Sequence, residues 1–508
     1  MNRNWVLHPF VFAICPVIFV YFNNVRNSYV PFLNFFFIIL VLLLISILLF
    51  TILKYIFKDR HKSGILVSGF FLLVFYSPFL IQSVLPETNA FVIFEILKLL
   101  IIPLFIILLS MGYIFYKWKK DLCSCTIFIN NVGLILLVVG LLSGFFGLIT
   151  NRYWKEMPFS GAEAYRGEMA ANSYPNIYYI ILDSYGREDV LQDVYGYDNR
   201  DFLSFLERKG FYVASKSRAN YSLTLLSLAS SLNCKYLEEI SRKMGADSLN
   251  KWPLYEMIRN NFMRRYLKNY GYKFIAFESG DYSTEIKNAD IFLEARNNFE
   301  IENMVLSKTI IGLIFREFLL EIGYKIHRER ILYVLDKITE VGQANYPAFV
   351  FVHLVTPHPP FVFSKVKLYS NYILADGSEL HHNDEKLRKK YIQAYREQVA
   401  FINGEIKALL GKLLIRPLPP AVIILQSDHG PRLTMDWGAP LKANFKECIS
   451  ILNAIYMPGD KGRLYDSITP VNTFRFLRKE MFSENIELLP DKSFFSEGAP
   501  YKFIELSK

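Results

Sequence analysis

Five apolar runs crowd the first 150 residues, near 5–22, 30–53, 64–85, 91–116 and 124–149. Each approaches or exceeds the roughly 20 residues that cross a bilayer as a helix. Segments this apolar cannot be left in water, so the constraint precedes every other, and the amino-terminal part is expected to form five transmembrane helices. The first run carries His8 and Pro16 and has no small-residue cleavage site, which reads as a retained anchor rather than a removed signal peptide. After residue 150 the composition becomes that of a globular domain large enough to bury a substantial core. The 508 residues therefore divide into a membrane part, 1–150, a linker, 151–175, and a globular part, 176–508. This division also explains why the whole chain is 52% hydrophobic.

Lys and Arg collect on the cytoplasmic side of a membrane protein. Lys54, Lys58, Arg60 and Lys62 separate the second and third runs, and Lys117, Lys119 and Lys120 separate the fourth and fifth. Both loops are expected in the cytoplasm, whereas the loop between the third and fourth runs has Glu87 and no base. Only Arg26, in the first outer loop, opposes this orientation. An odd number of spans then places the globular part outside the cytoplasm, on a multi-pass protein of the plasma (inner) membrane. The net charge of +10 fits that topology better than a nucleic-acid partner, because no basic stripe interleaved with stacking aromatics is present. Of the five cysteines, Cys15, Cys123 and Cys125 lie in or beside membrane segments; Cys234 and Cys448 either bridge in an oxidising compartment or stand as two buried thiols.

The globular part alternates strand-like and helix-like stretches, which implies an α/β fold with a mostly parallel central sheet covered by helices on both faces. Strands are expected at 176–182, 211–214, 272–277, 348–354, 421–425 and 452–456. Helices are expected near 199–209, 253–268, 299–322, 330–341, 384–414 and 470–482. The basic side of the helix after Asp384 reads as a solvated face or one touching anionic lipid.

The chemistry-bearing residues stand where strands end. AVIILQSDHGPR, residues 421–432, is a buried-strand pattern running into Asp428, His429 and Gly430, and ligands of open α/β sheets bind off those carboxyl ends. A carboxylate beside an imidazole suits a divalent metal; the plainer reading is a turn capped by Asp. Asn176–Leu182 ends in Asp183 in the same manner. The strand FVFVHLV leads into Thr356-Pro-His-Pro-Pro-Phe361, which places His358 at a third carboxyl end, with His353 either a hydrogen-bonded core residue or a substrate contact. Ser222 and Thr224 precede an apolar-periodic run, so one is expected to cap a helix and the other to lie in its first turn. That helix start favours a phosphate, and a hydroxyl there can attack phosphorus if a metal lowers its pKa. Glu278 and Asp281 are candidates for the pocket rim, and His381, His382 and Asp384 form a weaker candidate metal cluster.

Taken together and in order, Asp183, Thr224, His358 and Asp428-His429 resemble the alkaline phosphatase/sulfatase superfamily over about 176–490. In that superfamily the first strand ends in an acidic metal ligand. The nucleophile opens a helix with Ser three residues on, as in Thr224-Leu-Leu-Ser227, a PHxP(F/Y) loop carries a substrate-contacting His, and a late SDHG supplies two more ligands. Sulfatases proper convert a Cys or Ser in a CxPSR-type signature to formylglycine; this chain has neither that residue nor the Pro and Arg, which disfavours sulfate esters. Thr at the nucleophile position is similar to lipoteichoic acid synthases and phosphoethanolamine transferases, which also carry five transmembrane helices. The synthases have Glu where Asp183 stands. Their Gly and Lys before the nucleophile are absent, which weighs against glycerol phosphate.

The resemblance implies one divalent ion (Mn, Mg or Zn) held by Asp183, Thr224, Asp428 and His429, with Thr224 and His358 catalytic and His358, His353 and Ser222 facing substrate. The implied reaction moves a phosphoglycerol- or phosphoethanolamine-type headgroup from a membrane lipid to an extracytoplasmic glycan or glycolipid acceptor through a phospho-threonine. A hydrolase using water on the same residues, and a catalytically silent scaffold for envelope polysaccharide assembly, are the alternatives.

Overall fold

The computed structural model describes residues 5–24, 32–84, 90–156, 174–295, 309, 312, 315–341, 346–366, 385–415, 421–434, 445–458, 464–496 and 498–506. Arg26, Glu87, most of the 151–175 linker and the His381, His382 and Asp384 cluster lie outside them, as does most of the 299–322 helix. The chain divides into two compact units, residues 1–153 with 297–322, and residues 154–296 with 323–508.

The first unit contains α1 (His8–Asn24), α2 (Phe32–Phe57), α3 (Arg60–Val84), α4 (Ala90–Lys117) and most of α5 (Cys123–Glu156). Among the described residues, Phe35–Phe57 and Cys123–Phe146 are long and apolar enough to cross a membrane, while His8–Phe22 and Ile102–Lys117 are shorter apolar stretches. Five helices thus form where five spans were expected, and among the described residues two of them qualify as spans by length and composition.

One polar side chain ties the start of α1 into this unit. The first N–H groups of a helix have no partner within it, and in apolar surroundings each unpaired group is costly. Asn130, buried in α5, accepts from the N–H groups of Leu7 (2.9 Å) and His8 (2.8 Å), and donates to the carbonyl of Trp5 (2.9 Å). Asn130→Ala is expected to cost about 1–2 kcal/mol locally. The measurement is amide hydrogen exchange of residues 5–12, expected to accelerate roughly tenfold with the remainder of α5 unchanged.

In chain order the second unit then runs β1 (Asn176–Leu182), α6 (Glu188–Asp193), α7 (Arg200–Arg208), β2 (Tyr212–Val213), α8 (Thr224–Ser231), α9 (Glu238–Met244), α10 (Trp252–Arg259), α11 (Phe262–Lys268), β3 (Lys273–Phe277) and β4 (Ile291–Leu293). After these come α12 (Arg316–Lys337, entering from the first unit), β5 (Ala348–Leu354), α13 (Glu385–Leu413), β6 (Ala421–Gln426), α14 (Phe445–Ile449), β7 (Asn453–Tyr456), α15 (Pro470–Phe482), β8 (Ser493–Ser496) and β9 (Phe503–Leu506). The central sheet has seven strands in the order β2-β7-β6-β1-β5-β3-β4. Strand β7 alone runs antiparallel to its neighbours, so the sheet is mixed. Strands β8 and β9 form a separate antiparallel pair.

Strand β1 is buried on both faces, as its uninterrupted apolar sequence requires. Ile177, Tyr179 and Ile181 join one core with Leu226 and Leu228 of α8, Met257 of α10 and Phe474 of α15. Tyr178, Ile180 and Leu182 join the other, with Phe202 of α7, Val334 of α12 and Tyr395 and Ile402 of α13. The site elements follow from this layering. Strands β6, β1 and β5 are adjacent and parallel, so the residues after Gln426, Leu182 and Leu354 emerge at one edge.

Several expected elements differ. The expected helix over 253–268 is two, because Asn261 breaks it and caps α11 by accepting from the N–H of Arg264 at 2.8 Å. Strands β4, β8 and β9, none longer than four residues, carry too little periodicity to be read in sequence. Cys234 and Cys448 are both buried free thiols.

Candidate active site

Asp183 follows β1 and is 2% exposed. Its backbone is clamped to the β5 side: its N–H donates to the carbonyl of Leu354 (3.0 Å), and its carbonyl accepts from the N–H of His358 (3.1 Å). Ser184 has a left-handed φ of 61°, which is uncommon for a residue with a Cβ and here reverses the chain between the two halves of the site. The turn is pinned from several directions. Ser184 N–H faces Asp428 Oδ1 (3.3 Å), Tyr185 N–H donates to Ser427 Oγ (2.9 Å), and Tyr395 of α13 donates its hydroxyl to the Ser184 carbonyl (2.8 Å).

On the β6 side, Asp428 and His429 are each 1% exposed. His429 Nδ1 lies 2.8 Å from the carbonyl of Gly430; a carbonyl can only accept, so Nδ1 carries the proton and Nε2 keeps a lone pair. That nitrogen is 3.2 Å from Thr224 Oγ1, 3.5 Å from Asp428 Oδ2 and 3.6 Å from Asp183 Oδ1. Burial lowers the His429 pKa, and Arg432 adds to the effect against the pull of the two carboxylates. The imidazole is thereby kept neutral. Burial by itself would raise the Asp183 carboxyl, but His358, His353 and His429 outweigh it and hold it well below the usual carboxylate range.

Thr224 is the first residue of α8, but neither it nor Ser222 caps the helix. Leu223 occupies the N-cap position with extended backbone and no side-chain cap. The expectation of a hydroxyl cap fails because the Thr224 hydroxyl is turned toward His429 instead. Ser222 Oγ is buried with no hydrogen-bond partner among the described residues, while the Ser222 carbonyl accepts from Arg432. Ser227, one turn into α8, donates to the carbonyl of Asp428 (2.7 Å), which locks the helix to the Asp428–Gly430 loop.

His358 is half-buried, its Nδ1 tied to the carbonyl of Pro359 (2.6 Å), and its ring centroid is 6.4 Å from that of His429. His353 is 1% exposed and lies behind Asp183, Nε2 to Oδ2 being 3.3 Å. Glu278 and Asp281 do not form an open rim. Glu278 pairs with Arg330 (3.0 Å) and accepts from the N–H of Ala295 (2.9 Å), and Asp281 caps its own turn through Ser283. Buried charges are paired as a rule, which is why the Glu278 carboxylate turns inward.

Among the described residues, Asp183, Asp428 and His429 form the one group of His, Cys, Asp or Glu side chains whose ligand atoms all lie within 4.8 Å of one another. Two buried carboxylates beside an imidazole lone pair, with Asp428 Oδ2 lacking a hydrogen-bond partner among the described residues, are unstable without a cation. Ligands about 2.1 Å from a tetrahedral centre stand about 3.4 Å apart, close to the separations around His429 Nε2. The donor set fits a divalent cation. Sequence reasoning missed Ser184, Arg432 and Thr284, of which the first directly follows Asp183 and the second closes the AVIILQSDHGPR stretch.

Gly430 makes the loop possible. A Cβ built there would lie 2.0 Å from the carbonyl oxygen of Glu447. The Gly430 N–H also donates to the carbonyl of Cys448 (2.7 Å), so the two backbones cannot separate without losing a bond. Gly430→Ala is expected to destabilise the globular unit by about 1–3 kcal/mol and to displace His429. Thermal unfolding checks the first effect and loss of cation binding the second.

The fold and site define a hydrolytic or transfer enzyme of the alkaline phosphatase superfamily. The sulfatase family profile matches residues 175–475, more than half of the chain, and the chain belongs to the sulfatase family. No curated protein matches it closely enough to be counted as a relative. Among solved structures it is similar to the integral membrane lipooligosaccharide phosphoethanolamine transferase A of Neisseria meningitidis, at 12% identity and a TM-score of 0.37, over 89% of this chain and 88% of that one. It is also similar to the lipoteichoic acid synthase LtaP of Listeria monocytogenes, at 11% identity and a TM-score of 0.38, over 68% and 82% of the two chains. A third is the phosphonate monoester hydrolase of Agrobacterium radiobacter, at 13% identity and a TM-score of 0.39, over 63% and 80%.

Proposed function

We propose that this protein transfers a phosphoryl-linked headgroup, of phosphoethanolamine or phosphoglycerol type, from a membrane lipid to an extracytoplasmic glycan or glycolipid acceptor. The observation that carries the reading is the Thr224 hydroxyl: half-buried, unused as a cap, and 3.2 Å from the unprotonated nitrogen of His429. Asp183, Asp428, His429 and the Thr224 oxygen would hold one divalent ion, Mn, Mg or Zn, which when bound would supply Lewis-acid polarisation of the phosphoryl group and ease loss of the Thr224 proton.

Thr224 Oγ1, its proton released to solvent, attacks phosphorus as the bond from phosphorus to the lipid alcohol breaks, and the departing alkoxide takes a proton from His358. The phospho-threonine is then attacked by an acceptor hydroxyl, whose proton goes to His358 as the bond to Thr224 breaks. His358 suits this role because it stands at the mouth of the site rather than behind it. Ser222, expected to face substrate, has a buried hydroxyl without a hydrogen-bond partner among the described residues and takes no part in these steps.

In this reading residues 1–150 span the membrane five times and keep the site near its lipid, 151–175 form a linker, and 176–508 lie outside the cytoplasm. The test is the purified full chain in micelles containing phosphatidylethanolamine or phosphatidylglycerol. Headgroup transfer that requires an added glycolipid acceptor and is abolished by chelation supports the reading. Release of free headgroup at the same rate without acceptor makes the enzyme a hydrolase, and turnover that survives chelation removes the metal.

A further inference from the structure

We propose that His353 is a positioning residue that restricts Asp183 to offering a single oxygen to the cation, and that it thereby sets which cations the site accepts. This rests on Asp183, Asp428 and His429 being the metal ligands. The backbone fixes the relation first. In the parallel pairing of β1 with β5, His353 lies opposite Ile181, two residues before Asp183, so the two side chains emerge on one face of the sheet. His353 Nε2 is 3.3 Å from Asp183 Oδ2, within ion-pair distance, and has no aligned hydrogen-bond partner among the described residues, which leaves that carboxylate oxygen as its nearest acceptor. The other oxygen, Oδ1, points to the opposite side, where it accepts from Ser184 Oγ (3.1 Å) and lies 3.6 Å from His429 Nε2. One carboxylate oxygen therefore faces the imidazole behind it and the other faces the ligand cluster.

The imidazole is itself held. His353 Nδ1 is 2.8 Å from Thr284 Oγ1, and Thr284 is 2.8 Å from Ser279 Oγ. Both belong to a turn that is tied together from inside: Glu285 accepts from the N–H groups of Ser279 and Gly280 (2.9 Å each). Gly280, at φ 79°, leaves room for the Arg330 guanidinium, which a Cβ there would meet at 2.0 Å. Partners behind metal ligands orient them and tune affinity. A carboxylate limited to one oxygen suits a small cation of low coordination number, whereas one free to use both oxygens suits Ca²⁺, which takes six to eight oxygen ligands.

The experiment is calorimetric titration of the metal-free full chain with Mn²⁺ and, separately, Ca²⁺, for wild type, His353→Leu, His353→Gln and Thr284→Val. His353→Leu is expected to weaken Mn²⁺ binding by about 10–100-fold, to narrow the preference for Mn²⁺ over Ca²⁺ by roughly tenfold or more, and to be partly rescued by His353→Gln, whose amide can donate to Oδ2. Thr284→Val, which leaves the imidazole in place without its anchor, shifts both in the same direction by less. A cooperatively unfolding His353→Leu chain with wild-type affinity and selectivity overturns the inference alone. Wild-type chain that binds neither cation overturns the metal site and this inference together.

Discussion

Thr224→Ala is expected to reduce headgroup transfer by at least about a thousandfold, because the covalent route loses its nucleophile and the site has no other hydroxyl in its place. Ser222 does not substitute: it lies two residues upstream, before the N-cap residue Leu223, and its hydroxyl is buried without a hydrogen-bond partner among the described residues, whereas that of Thr224 meets His429 Nε2. The fold should be untouched, since the Thr224 side chain neither caps α8 nor fills a core, and Ser227 still ties the helix to Asp428. Cation binding is expected to persist, weakened, on Asp183, Asp428 and His429. Assaying transfer and metal content on the same preparation separates a lost nucleophile from a lost metal. Thr224→Ser, which keeps the oxygen, is expected to retain a measurable part of the rate.

Asp428→Asn is expected to act in opposite directions on stability and function. In the metal-free chain Asp428 is a buried carboxylate whose Oδ2 has no hydrogen-bond partner among the described residues, beside a second buried carboxylate, Asp183. Neutralising it removes an uncompensated charge and is expected to stabilise the metal-free globular unit by about 1–3 kcal/mol. The same change deletes a charged ligand, so cation binding should fall by two orders of magnitude or more and transfer with it. Thermal unfolding with and without added Mn²⁺ reads both effects. Wild type should be strongly stabilised by the ion, and Asp428→Asn should start higher and gain little. A structural aspartate would show the reverse, with Asp428→Asn less stable at every metal concentration.

How much of this was legible in the sequence depends on what each residue needed in order to be placed. Asp183, Asp428 and His429 follow uninterrupted apolar runs, and adjacency of β6, β1 and β5 was enough to bring those strand ends to one edge. Thr224 was legible through the apolar helix behind it and lies in that helix's first turn, but of Ser222 and Thr224, one of which was expected to cap, neither does, and the Thr224 hydroxyl faces His429. His353 could not be placed by pattern. Its role depends on the register that sets it opposite Ile181, a relation between residues far apart in the chain that periodicity along one strand does not contain. Ser184 is similar: its importance lies in a left-handed backbone that a serine does not advertise.

The central claim is that Thr224 carries the group being moved. Its most direct test is mass spectrometry of the peptide containing Thr224, from full-length chain quenched during turnover with donor lipid. The account predicts a peptide heavier by the phosphoryl-linked headgroup, with fragment ions assigning the addition to Thr224 and no such species in the Asp428→Asn chain. An unmodified Thr224 peptide in a preparation that is demonstrably transferring headgroup, quenched fast enough to trap an intermediate, would contradict it.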